Sequence, residues 1–461
     1  MNEERLSKTL SPFNVWALAL GCIIGSGAFF MPGTKFLVNA GTLGTIIAMA
    51  IASIIILIIA INYGYMIQHY PSSGGEFIYT KEILGDKHAF WCAWFLGLSY
   101  LVLVSFNATA LAYIFRNVFG GIFQVGFHYS IAGYDIYLGE LFLSEFAVAI
   151  FAVISMRGGK NTGRVQNFLV IFLVLSVAVL FISMLLKPGF SLSKFEPVYY
   201  GEGNGISGII AVMAVAPWAF VGFDTIPQAA EEYKFSHKKT LSFMVLSIVF
   251  GGIIYIFLNL FSAAGAPSEY VNWKEYISDL KNLDGIKALP TFYSAYNHLG
   301  YVGLAIVVIA VTTAVLSGIL GFYMATSRLL YSLGVNEYLP SWFGRLDKKY
   351  KTPVNAIAFI CVLSLFLPLA GRNVLGWIVD MSSTGAAIGY GYTSISTAIV
   401  AKRENKKNYI ITGTLGSIFS ICFLILLLVP IHGLNCSMGM QSYVCMLIWI
   451  VIGFVLHKKN K

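Results

Sequence analysis

The chain has 461 residues, of which 57% are apolar and only 11% are charged, whereas a soluble domain carries about 25% charged residues. So little charge cannot cover the surface of a soluble protein of this size. The composition excludes a soluble globule, a disordered chain and a disulfide scaffold. The net charge of +9 is spread over many loops, so it forms no patch for nucleic acid. The sequence indicates an all-α, polytopic membrane protein that is surrounded by a lipid bilayer.

Apolar segments of about 20 residues, the length that crosses a bilayer, recur along the chain. We predict twelve transmembrane spans from them. Their limits are 12–33, 41–68, 89–118, 139–156, 165–187, 206–230, 240–263, 299–330, 354–370, 373–400, 408–430 and 441–457. Because twelve is an even number, both termini are expected on the same side of the membrane.

The basic residues predict which side this is. Of the 30 lysines and arginines, 22 fall in segments on the side of the termini and 8 fall on the opposite side. Lysine and arginine accumulate in cytoplasmic loops. We therefore expect a multi-pass protein of the plasma membrane with cytoplasmic N- and C-termini, present as a monomer or a homodimer.

The first and sixth predicted spans contain glycine and proline at their centres. The first span carries Gly25, Ser26 and Gly27 in succession, and the sixth carries Pro217 and Gly222. Small residues spaced four apart would indicate close helix packing, but an adjacent Gly-Ser-Gly run favours an interrupted helix. Irregular backbone at membrane depth is tolerated only where it faces protein or a cavity. Interruptions at corresponding positions of two halves are typical of secondary transporters.

The spacing of the two interruptions predicts the domain organisation. Five spans separate them, so a repeat of five spans would be inverted relative to the next. Residues 12–187 would form the first inverted repeat, residues 206–400 the second, and residues 408–457 two accessory helices. Residues 1–11 would be a cytoplasmic N-terminal segment.

Four segments of this sequence resemble motifs of one transporter family, the amino acid–polyamine–organocation superfamily. GCIIGSGAFFMPG in the first span is similar to its G-x-I-I-G-S-G-I-F signature, and YPSSGGEFIYTKEILG is similar to the P-x-x-G-G-x-Y-x-Y segment after span 2. WAFVGFDTIPQAAEEY resembles the span 6 motif, and TSRLLYSLGVNEYLP resembles the end of span 8. The motifs occur in the family's order between residue 11 and about residue 400.

The resemblance has two departures and several implications. Phe77 stands where a tyrosine is usual, and Gly334, Val335 and Asn336 replace the usual Arg-Asp-Gly. The resemblance implies a core of ten helices in two inverted repeats, with discontinuous helices 1 and 6 and two further helices. It also implies transport by alternating access, usually of an amino acid or an amine.

An amino acid zwitterion needs two complementary poles in its binding site. Free N–H groups at the start of a half-helix can hold the carboxylate, and free carbonyls at the end of a half-helix can hold the ammonium. We expect the amides of Ser26 and Gly27 to face the carboxylate and the carbonyls of Cys22 and Ile23 to face the ammonium. The predicted substrate-binding residues are Cys22, Ile23, Ile24, Gly25, Ser26 and Gly27 in the first span and Trp218, Phe220, Val221, Gly222 and Asp224 in the sixth.

Two side chains of the sixth span have alternative interpretations. Trp218 stands where relatives carry an aromatic gate over the ligand, although a tryptophan in a membrane helix can also be a packed or lipid-facing aromatic. Asp224 is the acidic residue in the middle of the broken helices, where an ionised carboxylate costs roughly 2.5–3.5 kcal/mol on insertion scales. It would either cap the second half of the span, because aspartate is a favoured N-cap residue, or take part in proton or amine chemistry.

The coupling ion is left open by the sequence, with Na⁺, H⁺ and no ion as alternatives. Some relatives place a lysine in span 5 where others bind sodium; the corresponding position falls near Leu173 here, and this span contains no lysine. An oxygen-only sodium site could use the hydroxyls of Thr312, Thr313 and Ser317 with the carbonyls of Gly21 and Ile24. These hydroxyls could equally be ordinary helix-packing groups.

The function that we predict is a secondary active transporter of amino acids, with a small preference for a neutral side chain. An amine or polyamine carrier, or an amino acid–amine antiporter, is the alternative within the same superfamily. The sequence lacks H-E-x-x-H, G-x-S-x-G and a P-loop motif, so we do not expect an enzyme. A channel would favour a continuous polar pore. No cofactor and no metal centre are predicted.

Overall fold

The computed structural model describes residues 6–188, 191–200, 205–434 and 436–459. Residues 1–5 of the predicted N-terminal segment therefore lie outside the described part. The α-helices of the first half are α1 (Pro12–Ile23), α2 (Gly27–Met31), α3 (Leu37–His69), α4 (Glu76–Leu84), α5 (Asp86–Phe119), α6 (Leu138–Met156) and α7 (Gly159–Leu186). The second half contains α8 (Ile206–Ala214), α9 (Ala216–Ala219), α10 (Thr225–Gln228), α11 (Thr240–Ala264), α12 (Trp273–Asp279), α13 (Pro290–Val335), α14 (Val354–Phe366), α15 (Gly371–Arg403), α16 (Lys407–Leu428) and α17 (Met440–Lys459).

Nine helical stretches of the described residues are long and apolar enough to cross a membrane. Two of them, Pro12–His69 and Val354–Arg403, have 58 and 50 residues, so each covers two of the predicted spans. The predicted sixth span is divided among α8, α9 and α10, with 9, 4 and 4 residues, which are too short to count. The helical, multi-pass character is confirmed, while the number of twelve stays a prediction.

Glycine marks the bends inside the long stretches. Gly41 has a φ of +73° in α3, and a Cβ there would lie 2.7 Å from the carbonyl oxygen of Val198. Gly371, with a φ of +82°, separates α14 from α15. Both positions require the left-handed region that only glycine enters without strain. These bends let one continuous helical stretch change direction.

The prediction of an all-α fold needs one correction. The connection between α5 and α6 contains two short strands, β1 (His128–Ile131) and β2 (Tyr134–Tyr137), that pair antiparallel. Ala132 and Gly133 at the tip both have positive φ, as a tight hairpin turn requires. A four-residue strand is too short to produce a clear alternating pattern of apolar and polar residues, so the sequence does not predict this hairpin.

Helix α1 is at the centre of the bundle. Its N-terminus is closed by a capping box, in which the Asn14 amide donates to the Ser11 hydroxyl and the Asn14 side chain accepts from the Ser11 amide. From Ala17 to Ile23 every side chain is buried, and the helix packs on α7, α11 and α13. Helices α7, α16 and α17 instead expose rows of large apolar side chains, as expected of helices that face lipid.

Candidate functional site

The first predicted span is interrupted in its middle. Helix α1 ends at Ile23, Ile24 leaves the helical region with φ −95° and ψ 78°, and α2 begins at Gly27. The amide of Gly27 is therefore at the start of a helical segment, where N–H groups have no acceptor within the helix. The carbonyl of Ile23, at the end of α1, accepts a hydrogen bond from the Tyr255 hydroxyl at 3.1 Å.

The second interruption contacts the first. Between α9 and α10 the chain turns through residues 220–224, and Gly222 has a φ of +146°. A Cβ on Gly222 would lie 2.7 Å from the amide nitrogen of Ile23 and 2.8 Å from the carbonyl oxygen of Ala19. Glycine is therefore required here both by the backbone conformation and by the close approach of the two broken segments.

A small cavity of about 20 Å³ lies at this junction. We call it the site cavity, and it has room for about one water molecule. Its lining includes seven of the eleven predicted substrate residues, namely Cys22, Ile23, Gly25, Ser26, Gly27, Trp218 and Val221. The other four predicted residues are buried behind this lining: Ile24, Phe220, Gly222 and Asp224. In this conformation the cavity is too small for an amino acid.

The remaining wall comes from residues that the sequence analysis did not predict. Leu103, Phe106 and Asn107 lie on α5, Tyr255 lies on α11 and Phe322 lies on α13. The Asn107 side chain accepts a hydrogen bond from the Ser26 amide at 3.2 Å. The Ser26 amide, which we expected to be available to a carboxylate, is thus already paired. An asparagine in the middle of an apolar span was the signal that could have identified this wall.

Trp218 covers one side of the site cavity. A Cβ on Gly27 would lie 2.1 Å from Cη2 of the Trp218 ring, so the indole occupies the space that the missing side chain leaves. Within the described residues, neither the indole Nε1 nor the nearby Ser26 hydroxyl has a hydrogen-bond partner. Buried polar groups are normally paired. Both residues line the site cavity, so these groups can form hydrogen bonds to a ligand that enters it.

Asp224 does not cap the second half of the sixth span. Although it directly precedes α10, its side chain forms no capping bond there. One oxygen instead accepts from the Gly222 amide at 2.7 Å, and the other accepts from the Tyr100 hydroxyl at 2.9 Å. The carboxylate therefore stabilises the turn before α10, which corrects the capping interpretation.

The Tyr100 hydroxyl also approaches a second buried carboxylate, Glu76, at 3.5 Å. Glu76 accepts hydrogen bonds from the Tyr63 hydroxyl at 2.9 Å and from the Gln228 amide at 2.6 Å. Burial raises the pKa of the Glu76 carboxyl well above its ordinary value, and the nearby Asp224 carboxylate raises it further. In the described part of the chain, neither carboxylate forms an ion pair with a basic side chain. Glu76 was not a predicted site residue.

The suggested ion site is only partly assembled. Ser317 lies beside Gly21, since a Cβ on Gly21 would overlap the Ser317 hydroxyl. The amide of Gln166 on α7 donates to this hydroxyl at 2.7 Å and to the Ala17 carbonyl at 3.1 Å. The Thr313 hydroxyl donates to carbonyls of its own helix, which corresponds to the helix-packing alternative, and Thr312 is half-buried.

A buried ion pair joins the C-terminal part of α13 to the segment that follows α10. Arg328 Nε lies 2.7 Å from Glu232 Oε1, and both side chains are almost fully buried. The Glu232 carbonyl also accepts hydrogen bonds from the amides of Thr9 and Leu10 at 2.9 Å. This clamp joins α13, the segment after α10 and the chain that enters α1.

The amino acid permease family model matches residues 10–455, which is nearly the whole chain. This chain belongs to the amino acid permease family. The prediction of a transporter of the amino acid–polyamine–organocation superfamily, and not an enzyme, is thereby confirmed.

Several relatives of this permease resemble it over most of their length. The branched-chain amino acid permease BcaP of Bacillus subtilis is 25% identical over 476 residues, covering 99% of this chain and 93% of the relative. The methylthioribose transporter of the same organism is 25% identical over 408 residues, covering 87% and 83%. The low-affinity putrescine importer PlaP of Escherichia coli is 24% identical over 416 residues, covering 88% and 84%.

Proposed function

We propose that this permease carries amino acids or related amines across the plasma membrane by alternating access. The observation that carries the proposal is the contact between the two broken segments around the site cavity. Gly222 approaches the Ile23 amide nitrogen so closely that no side chain fits. A movement of either broken segment would therefore open or close the cavity, which is what alternating access needs.

We further propose twelve spans with both termini in the cytoplasm. Residues 12–187 and 206–400 would form the two inverted repeats, and residues 408–457 the accessory helices. The distribution of the basic residues supports this orientation. The direct contact of the first and sixth spans supports a pseudo-symmetric arrangement, because it joins corresponding positions of the two repeats.

The substrate that the site cavity favours has a neutral side chain. The walls of the site cavity include the side chains of Leu103, Phe106, Val221 and Phe322. These side chains carry no charge. The ammonium would lie near the carbonyls that end α1, and the carboxylate near the Gly27 amide. The cavity must expand by several times its present volume to admit either an amino acid or an amine.

The residues favour coupling to protons over coupling to sodium. At the suggested sodium site the Gln166 amide already donates to Ser317 and Ala17, and an N–H donor repels a cation. The Glu76 and Asp224 carboxylates, by contrast, are buried and form no ion pair with a basic side chain of the described residues. Two uncompensated charges in such a place are costly, so we propose that the pair holds a proton that is released during transport.

The titratable groups around this carboxylate pair support the same conclusion, because they are thiols and phenols and none of them brings a positive charge. They come from five helices and are Cys22, Tyr63, Tyr79, Cys92, Tyr100 and Tyr390. Tyr100 lies between the two carboxylates and can pass a proton from one to the other. In this proposal Glu76 and Asp224 act as one proton-binding unit.

Uptake into proteoliposomes tests the proposed function. Radiolabelled leucine, histidine and putrescine would be offered to empty vesicles and to vesicles that contain the same compounds unlabelled. Uptake of an amino acid above that of protein-free vesicles is expected. Uptake of putrescine alone would favour the amine carrier, and uptake only into filled vesicles would favour an antiporter. Absence of uptake under every condition would contradict the proposed function.

A further inference from the structure

A second cavity adjoins the site cavity. It has a volume of about 190 Å³, and we call it the Arg372 cavity. Gly27 and Phe106 line both cavities, so they are neighbours. Its far wall includes Leu280, Ala288 and Leu289 of the connection between α12 and α13, which lies outside the membrane on the non-cytoplasmic side in the proposed topology. The Arg372 cavity is therefore positioned on the entry path from the outer solution.

Arg372 is held in this cavity by aromatic rings. Its guanidinium carbon lies 4.7 Å from the ring centroid of Phe106, 5.1 Å from that of Tyr113 and 5.6 Å from that of Phe30. One guanidinium nitrogen donates to the Thr109 hydroxyl at 3.2 Å. Rings on two different helices, α2 and α5, thus hold the charged group by cation–π contacts.

Most N–H donors of the Arg372 guanidinium have no hydrogen-bond acceptor among the described residues. A guanidinium carries five N–H donors, and no carboxylate of the described residues forms an ion pair with Arg372. Arg116 on α5 provides a contrast, because it donates to both oxygens of Glu140 and to the Asp135 carbonyl. Charges in protein interiors are normally paired. A carboxylate that enters the cavity could therefore supply the ion pair that Arg372 does not form with the described residues.

We propose that the Arg372 cavity binds the carboxylate of an amino acid on its way to the site cavity. A guanidinium matches a carboxylate with two parallel hydrogen bonds, and the aromatic walls accommodate the apolar part of the ligand. The volume of about 190 Å³ is much larger than a single small ion requires. The inference rests on the proposed function, because it names the group by which the carrier recognises its substrate.

The test compares each amino acid with the amine that remains when its carboxyl group is removed. The pairs are leucine with 3-methylbutylamine, histidine with histamine, and ornithine with putrescine. Initial uptake rates would be measured over a range of concentrations for wild type, Arg372→Gln and Arg372→Lys. We expect Arg372→Gln to raise the half-saturating concentration of a transported amino acid by about tenfold, which corresponds to about 1.4 kcal/mol, and to leave that of its amine unchanged. Arg372→Lys should show an intermediate effect.

Two controls separate carboxylate recognition from other roles. Thr109→Val removes the hydrogen bond to Arg372 but leaves its charge, so it should change the half-saturating concentrations little. Replacement of chloride by gluconate in the assay solutions tests whether Arg372 binds an inorganic anion instead of a carboxylate. A chloride dependence of wild-type uptake that disappears in Arg372→Gln would overturn the proposal in favour of a chloride site.

Other outcomes would also contradict the proposal, and they can be told apart from a protein that transports nothing. Equal losses for an amino acid and its amine would mean that Arg372 acts only in packing or gating. No change for either would mean that the guanidinium has no part in recognition. A wild type that carries amines but no amino acids would refute the carboxylate site while the carrier function stands, and a wild type that carries nothing would refute both.

Discussion

Individual glycines at the two interruptions are required by contacts with residues far away in the chain. Gly27 faces the Trp218 ring, and Gly222 faces the backbone of α1. In each case a hydrogen atom is all that fits between two packed segments. The glycines therefore serve tertiary contact as well as the local interruption of the helix.

Gly27→Ala should reduce uptake by at least tenfold, because its Cβ would lie 2.1 Å from the Trp218 ring and overpacking costs about 1–3 kcal/mol. Gly27→Val should abolish substrate binding. Gly376→Ala on α15 is the matched control, since a Cβ there meets nothing within 4 Å. Uptake and the amount of folded protein would be measured for each variant. Normal uptake by Gly27→Ala would contradict the role of this contact.

Trp218→Ala should slow uptake by about tenfold or more while weakening equilibrium binding less, because the indole closes the site cavity without a hydrogen bond to fix it. Binding of radiolabelled substrate and uptake would be compared in the same preparation. Trp449→Ala is the control, because Trp449 also has an unpaired indole nitrogen among the described residues but packs on Trp94, away from the cavity. If uptake and binding fell equally, Trp218 would be a packing residue and not a gate.

A small number of polar contacts join helices and connecting segments in a bundle that is otherwise packed through apolar side chains. The clamp of Arg328 with Glu232 joins α13 to the segment after α10, and the Glu232 carbonyl adds the chain that leads into α1. These are the segments adjoining both interruptions. The clamp therefore links α13 to the segments that adjoin both interruptions.

Arg328→Met should lower the free energy of unfolding by about 3–5 kcal/mol, because it leaves the buried Glu232 carboxylate without its partner. The double variant Arg328→Met with Glu232→Leu should recover much of this loss. Lys287→Met is the control, since the Lys287–Glu269 pair is about half exposed and exposed pairs contribute about 0–1 kcal/mol. Thermal unfolding in detergent would measure all four proteins, and equal stability of Arg328→Met and Lys287→Met would contradict the prediction.

In the proposed function, the whole permease would couple substrate movement to a proton that is bound by the buried carboxylates Glu76 and Asp224. Burial, followed by the charge of Asp224, raises the pKa of Glu76, so the folded protein keeps this proton to a higher pH than the unfolded chain does. Stability contributed by this group is complete below the ordinary pKa of a glutamate and is lost as the pH rises towards the raised pKa. A conformation that exposes Glu76 to the cytoplasm would release the proton there.

An acidic outer solution should therefore accelerate uptake, and replacement of sodium by choline should have no effect. Glu76→Gln should retain exchange of substrate but lose its response to the pH gradient, and its melting temperature should depend less on pH than that of the wild type. Glu82→Gln is the control, because Glu82 lies on the same helix and is exposed. A strict sodium requirement in empty vesicles, or an unchanged pH response in Glu76→Gln, would overturn proton coupling through this pair.

The sequence by itself determined the class of this protein and the positions of its interruptions. The scarcity of charge predicts a membrane protein because lipid and not water covers its surface. Gly25, Gly27, Pro217 and Gly222 predict broken helices because the reasons are local: backbone freedom at glycine and a missing N–H at proline. The family motifs are equally local, and the family match agrees with them.

Tertiary structure alone decided which side chains complete the site. Asn107 meets Ser26 across 81 positions, and Tyr100 meets Asp224 across 124. Helical periodicity indicates which residues share a face of one helix, but in a uniformly apolar span it does not indicate which helix packs against that face. The same limitation applies to Glu76 and Arg372, because the contacts on which their proposed roles rest exist only once the helices are packed together.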